Sequence, residues 1–197
     1  MDIYKANIQS DGSIYKLRLG IVVRGDILNT DLIGYNWPPT ASMKILKDFL
    51  SDSVKHRSIV HQLDFIGNCL QAKVKNRVFV KLDSWYTDYF TEYSSYLGKD
   101  LRLMKSMYRM TNYGKLFAYE GIDLLINEAG FKQSQFQMNI YCKYAPYGTN
   151  ISVLSDVDYC VYWYTSEVIG KWFVETIGKR LNVNLLIFAH FFISIRI

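Results

Sequence analysis

The chain reads as an α+β fold with a mainly antiparallel sheet, and three observations predict it. Strand-like runs come in pairs joined by turn signals. Helical periodicity falls between those pairs and not after every strand, so the βαβ alternation of a parallel sheet is absent. Half of the 197 residues are hydrophobic and 16% are aromatic, a composition that folds around a core. A single domain of this length can bury a substantial core.

The first pair is "IYKANIQ", the turn signal Asp11-Gly12, and "SIYKLRLGIVVRG". "NWPPTAS" at 36–42 breaks the chain, and Thr40 or Ser42 can cap the helix that follows. There Met43, Leu46, Phe49, Leu50 and Val54 fall at helical spacing. "SIVHQLDFI" (58–66) reads as a mostly apolar strand and "RVFVKLD" (77–83) as an alternating one. The Tyr- and Ser-rich segment 84–100 reads as a loop with short helical turns, and a long helix suits 115–128, closed by Gly130. "QMNIYCKYA" and "ISVLSDVDYCVYWY" flank the turn "PYGTN" as a second hairpin. "SEVIGKWFVETIGKRL" is an amphipathic helix with Ser166 as N-cap and Lys179 and Arg180 in its last turn. "NVNLLIFAHFFISIRI" closes the chain as strands.

Charge and cysteines narrow the function classes only a little. Lys+Arg 23 against Asp+Glu 18 gives a net charge of +5, which permits a polyanionic partner without establishing one. Cys69, Cys142 and Cys160 have neither zinc-ligand nor redox-motif spacing, which points to free thiols in a reducing compartment. The N-terminus has no apolar signal core. The apolar run 185–195 is about half the ~20 residues of a membrane span, so a buried strand is expected and no membrane partner.

One stretch poses a chemical problem. In "SVLSDVDYCVYWY" (152–164), Asp156 and Asp158 interrupt a run of strand formers, and residues two apart on a strand share a face. Close carboxylates repel one another and lose solvation unless a cation joins them. Asp64, in "HQLDFIG", is a third acid at the end of an apolar strand. Three acids from two strands suit a hard divalent ion such as Mg²⁺, which takes one or two protein carboxylates and shares its other sites with water and phosphate. On spacing alone, three turn-capping aspartates explain the pattern as well.

Six stretches carry a family resemblance. "VVRGD" followed by "PPTASMKILKDFL" resembles the fingers region and first palm helix of the reverse transcriptase of copia-type LTR retrotransposons. "HQLDFIGNCLQAKVKNRVFVKLD" resembles its motif A, H-Q-(M/L)-D-V-x-x-A-F-L-x-G-x-L-x-E-x-V-Y-M. "LRLMKSMYRMTNYGKLFAYE" is similar to L-x-K-S-L-Y-G-L-x-Q. "EAGFKQSQFQMNIYCKY" is similar to G-F-x-x-S-x-x-D-x-x-(L/I)-Y. "SVLSDVDYCVYW" falls where the family has L-x-Y-V-D-D-(L/M), and "FAHFFISIRI" resembles x-Y-F-L-G-I-E-I.

The resemblance implies an RNA-directed DNA polymerase domain with fingers (about 1–57 plus part of 70–115) and palm (about 58–69 and 115–197), its antiparallel palm sheet backed by helices. It implies a truncated piece of a polyprotein, without thumb, connection or RNase H, working inside the cell in a cytoplasmic virus-like particle or the nucleus. Template–primer RNA or DNA and deoxynucleoside triphosphates are the implied partners. Asp64 and Asp158 would be catalytic, holding Mg²⁺ with the Phe65 carbonyl. Arg18 and Arg24 would face phosphates, and Cys69 and Asn112 would lie beside the nucleotide.

Departures fall in the same places. Tyr159 stands for the second Asp of Y-V-D-D, and Asp156 stands for its Tyr; Asp156 replaces the lost ligand only if the hairpin shifts. Asn68 and Cys69 replace Ala and the aromatic gate against a ribose 2′-hydroxyl. Arg109 replaces a glycine, Asn112 a Gln, and Gly20 an Arg. Losing one carboxylate of a two-metal site costs roughly 10³-fold in rate, so a weakly active or inactive copy is expected. A binding remnant without chemistry is the other reading.

The remaining candidates have plainer readings. His56 and His61 suit surface or capping roles, and His190 a hydrogen-bonded core position. The aromatics of 84–96 suit a packed loop more than a base-stacking platform. Lys73, Lys75, Arg77 and Lys81 suit a lysine-guarded edge strand, or a phosphate contact.

Overall fold

A computed structural model describes residues 2–8, 13–21, 23, 40–82, 84–110, 112–144, 148–157, 159–186, 191–192 and 195–196. Strands β1 (Asp2–Ile8) and β2 (Ile14–Ile21) pair antiparallel, as the turn signal between them predicts. Helix α1 (Met43–Lys55) starts at Ser42, whose hydroxyl accepts from the Ile45 N–H at 3.3 Å. His56 caps its C-terminus, donating its backbone N–H to Asp52, and its ring stacks 5.2 Å from Trp163.

Strand β3 (Ile59–Phe65) leads into the short helix α2 (Asn68–Gln71). Strand β4 is only Phe79–Val80, because the predicted strand over 77–83 breaks on both sides of that pair. It pairs with β5 (Leu101–Arg102), across helix α3 (Ser84–Tyr89) and a 3₁₀ turn (Thr91–Tyr96). The expected loop with short helical turns is there.

Helix α4 (Tyr113–Asp123) widens into a π-helical turn, Leu124–Glu128, and stops. Gly130 ends it at φ +71, the left-handed conformation glycine adopts at little cost, with the Phe131 N–H donating to the Leu125 carbonyl at 2.9 Å. Strands β6 (Lys132–Gln133), β7 (Ile140–Tyr144), β8 (Asn150–Ser155) and β9 (Tyr159–Tyr164) follow, then helix α5 (Glu167–Gly178) and strand β10 (Val183–Leu186). Ser166 is the N-cap of α5 without a side-chain capping bond. Arg180 lies beyond the helix and bonds Glu120 (2.7 Å), Asp123 (2.9 Å) and Glu128 of the α4 segment. Hydrogen bonds from Asn127 and Arg180 hold the Asp123 carboxyl below its usual range. Of the terminal strands, β11 (Phe191–Phe192) and β12 (Ile195–Arg196) pair separately, and His190 lies outside the described residues.

The six-stranded central sheet runs β10-β3-β9-β8-β7-β6, every neighbour antiparallel. Strands β8 and β9 are apolar on both sides because both faces are covered. Leu63, Ile151, Val153, Cys160, Tyr162 and Tyr164 face α4 and α5, packing on Phe117, Leu124 and Phe173. Leu154, Val161 and Trp163 face α1, packing on Leu46 and Phe49. Each such burial contributes about 1.5–3 kcal/mol, so this sheet, and not the two-residue ribbons, carries the stability. Burial pushes the Cys160 thiol up to about 12, which leaves it a structural, unreactive thiol.

His61 is half-buried and not freely exposed. Its ring meets Tyr162 and Tyr164 edge-on at 5.9 and 5.4 Å, and both phenols lie 3.5 Å from Nδ1. Burial lowers its pKa and the Glu167 carboxylate partly opposes this. The unfolded chain therefore binds the proton more readily, and stability present above about pH 6.5 falls as pH drops through that value towards the folded pKa. Urea unfolding at pH 7 and pH 5 tests this: His61→Gln reduces the loss at the lower pH.

Gly170 has a separate constraint. A Cβ there would lie 2.7 Å from Cζ and 2.8 Å from Cε1 of Tyr164, closer than any real contact. Alanine ordinarily stabilises a helix by up to about 1 kcal/mol over glycine. Here Gly170→Ala destabilises by about 1–3 kcal/mol through overpacking, measured by thermal or urea unfolding.

Candidate active site at the end of the central strands

Of the acids singled out in the sequence, Asp64 lies at one end of β3, beside the start of β9. Strand β8 stops at Ser155 and β9 starts at Tyr159, so Asp156 follows the strand and, contrary to the continuous strand that the sequence predicts, does not lie on it. The Asp156 N–H donates to the Tyr159 carbonyl at 2.9 Å, which closes a tight hairpin. Asp158 lies outside the described residues. Its chain neighbour Tyr159 is paired directly with Asp64 of β3, and Asp64 is paired on its other side with Asn184 of β10.

Strand alternation fixes which face this is. Leu63 points to the α4–α5 side, and Val60 and Tyr159 pack with the α1 cluster. Asp64 therefore shares the α1 side with Tyr159 and Asn184, half-buried between a phenol and an amide. Directly paired residues stand about 4.5–5.5 Å apart at Cβ, so a second carboxylate at 159 would be within reach of a shared cation. Asp156 instead lines small cavities with Phe117, Ala118, Tyr141 and Cys160, against α4.

Three contacts hold neighbouring residues at this end. Asn68, buried at the start of α2, donates its side-chain amide to the Val157 carbonyl at the hairpin tip, 2.9 Å away. Gln71 joins the same α2 to β10 by accepting from the Asn182 N–H at 2.7 Å. Phe65, the last residue of β3, packs edge-on to Phe117 at 5.1 Å.

The nucleotide candidates divide. Cys69 lies in α2, one residue after the Asn68 contact, and Arg18 lies in β2 opposite Lys5; Arg24 is outside the described residues. Asn112 is buried at the N-cap of α4, and its Oδ1 has no hydrogen-bond partner among the described residues. Such an atom carries a desolvation cost that a donor from a ligand would relieve. Asn184 had no signal in the sequence, because the pairing of β10 with β3 joins residues about 120 apart. The Asn68 contact was equally hidden, joining residues 89 apart.

Comparison with known proteins gives these positions a context. A family model described as reverse transcriptase (RNA-dependent DNA polymerase) matches residues 3–197. The chain belongs to the reverse transcriptase family. The family is the copia-type one, so this domain is an RNA-directed DNA polymerase by family, and that family works on a nucleic-acid template and nucleotides. No curated protein and no solved structure matches it. Among the described residues no helix is long and apolar enough to cross a membrane, and no group of three or more His, Cys, Asp or Glu is placed to hold a metal.

Arg109 carries local backbone strain. It holds φ +67, the left-handed region that disfavours a Cβ. Glycine takes that conformation freely. Arg109→Gly relieves the strain and raises stability by about 1 kcal/mol, measured as an increase in urea midpoint.

Proposed function

We propose that this domain retains the nucleotidyl-transfer site of a reverse transcriptase in weakened form. In the intact reaction the primer 3′-hydroxyl attacks the α-phosphorus of a deoxynucleoside triphosphate, forming a phosphodiester and releasing pyrophosphate. Asp64 and Asp158, with the Phe65 carbonyl, are the groups that would hold a divalent ion. Bound there, the ion lowers the pKa of the hydroxyl and offsets charge on the phosphate. The donors fit one hard cation better than two, since Tyr159 and Asn184 beside Asp64 offer a phenol and an amide in place of carboxylates.

The chain's own residues define the rest of the site. Arg18 and Arg24 would pair with triphosphate oxygens. Asn112 would offer its buried side-chain amide group to the nucleotide. Cys69 lacks the ring that would exclude a 2′-hydroxyl, so discrimination against ribonucleotides is loose. Asp156, set against α4, does not replace the missing ligand.

The pairing of Asp64 with Tyr159 carries this reading. It supports both the site, because motif A meets the catalytic hairpin there, and its weakening, because the paired residue is a tyrosine. A nucleic-acid binder without chemistry is the second reading, favoured by the same tyrosine.

Primer extension with Mg²⁺ or Mn²⁺ tests the proposal. The wild-type domain extends roughly 10³-fold more slowly than an intact relative, and Tyr159→Asp recovers at least about tenfold of that. Adding Asp64→Asn to Tyr159→Asp abolishes the gain. Extension by the wild type at the rate of an intact relative overturns the weakened reading, and a silent Tyr159→Asp variant that folds leaves the binder.

A further inference from the structure

The connection between β4 and β5 places aromatic side chains in water. Helix α3 and the 3₁₀ turn after it carry Tyr86, Phe90, Tyr93 and Tyr96. The 3₁₀ turn runs for six residues, longer than such turns ordinarily persist, and buries none of them. Every residue from 90 to 100 is exposed. Phe90, Tyr93 and Tyr96 each leave between 42% and 45% of their surface accessible.

These rings pack on one another and not on the core. Tyr86 stands 4.8 Å from Phe90 and 5.9 Å from Tyr93, and Tyr93 stands 6.5 Å from Tyr96, centroid to centroid. Their planes are tilted by between 36° and 48°, which leaves a wedge-shaped notch at each step. Lys99 extends over the last ring, its Nζ 5.8 Å from the Tyr96 centroid. Backbone bonds fix the path: the Phe90 N–H donates to Tyr86 at 2.9 Å, Tyr93 to Phe90 at 3.0 Å and Leu97 to Ser94 at 3.2 Å. The ridge is therefore formed before anything covers it.

Charge selects the occupant. Asp88 and Glu92 alternate with the rings in sequence, are exposed, and have no ion pair among the described residues. Such acids repel phosphates, which disfavours a nucleic-acid strand or an anionic membrane and favours a cationic partner.

We propose that this ridge binds a proline-rich peptide with Arg or Lys beside its prolines. A polyproline II segment has no internal hydrogen bonds, so its carbonyls are free for phenol donors and its pyrrolidine rings for aromatic faces. Two residues of that helix advance about 6.2 Å, close to the 5.9 and 6.5 Å steps from Tyr86 to Tyr93 and from Tyr93 to Tyr96. The notches take pyrrolidine rings, Tyr93 and Tyr96 bring O–H donors, and Asp88 and Glu92 pair with the flanking cations. Tyrosine side chains lose little conformational entropy when covered. The β4–β5 ribbon is separate from the sheet that carries Asp64, and nothing in this recognition depends on nucleotidyl transfer.

The test is fluorescence anisotropy of a labelled octaproline peptide with an arginine at each end, titrated with the whole chain. The wild type binds it, and binds an octaproline with glutamate ends more weakly. Tyr93→Ala/Tyr96→Ala weakens binding by about tenfold or more and leaves the urea midpoint unchanged, since neither ring belongs to the core. Phe136→Ala, at a more exposed ring elsewhere, leaves binding unchanged. Glu92→Lys weakens the arginine-ended peptide and strengthens the glutamate-ended one, which keeps the test open should the double-alanine variant not fold. No binding by the wild type, equal affinity for a glycine–serine peptide with the same arginine ends, or full binding by the folded double-alanine variant each overturn the proposal. So does a Glu92→Lys variant with both affinities unchanged. Ring-dependent binding of oligothymidylate in place of the peptide makes the ridge a base platform, and ring-dependent self-association in sedimentation makes a second copy its occupant; either result overturns it too.

Discussion

The antiparallel register of β3 against β9 is the constraint on which the rest depends. It places Asp64 beside Tyr159, and a slip of one residue would turn Asp64 to the opposite face, among Phe117 and Phe173. What prevents the slip is packing on both sides of the sheet. Leu63 and Cys160 are committed to the α4–α5 core, Val161 and Trp163 to the α1 core, and neither set can exchange places without exposing the other. The site is thus positioned by residues that take no part in its chemistry.

That separation lets the residues at this end of the sheet vary without disturbing the fold. Tyr159 is half-buried against the α1 cluster, where a phenyl ring is accepted more readily than a second carboxylate beside Asp64. Arg109 costs backbone strain and Asn112 leaves a buried acceptor unmet. Each is a penalty of about one to a few kcal/mol, small enough for a doubly covered sheet to carry.

The fold was legible wherever periodicity was strong. Helix α1 with its Ser42 cap, the helix closed at Gly130, and the two hairpins follow from spacing and turn residues. The segment 77–83 misled because its alternation looks like a strand, yet only Phe79 and Val80 find a partner. His61 misled because nothing in its local sequence shows the cross-strand tyrosines beside it, which come from a hundred residues away. At the candidate site, family resemblance pointed to Asp64 and the hairpin, and the register puts Asp64 opposite Tyr159. Asn184 was not, because no local pattern announces which strand will lie beside β3.

The Asn68 amide has a mechanical consequence. A hairpin paired only along its strands can rock at its tip, and such play lets a reactive loop adjust to what arrives. Here the tip carbonyl of Val157 is clamped to the helix that follows motif A. An alanine there could form no such clamp, so this one amide sets how stiffly the hairpin sits beside Asp64.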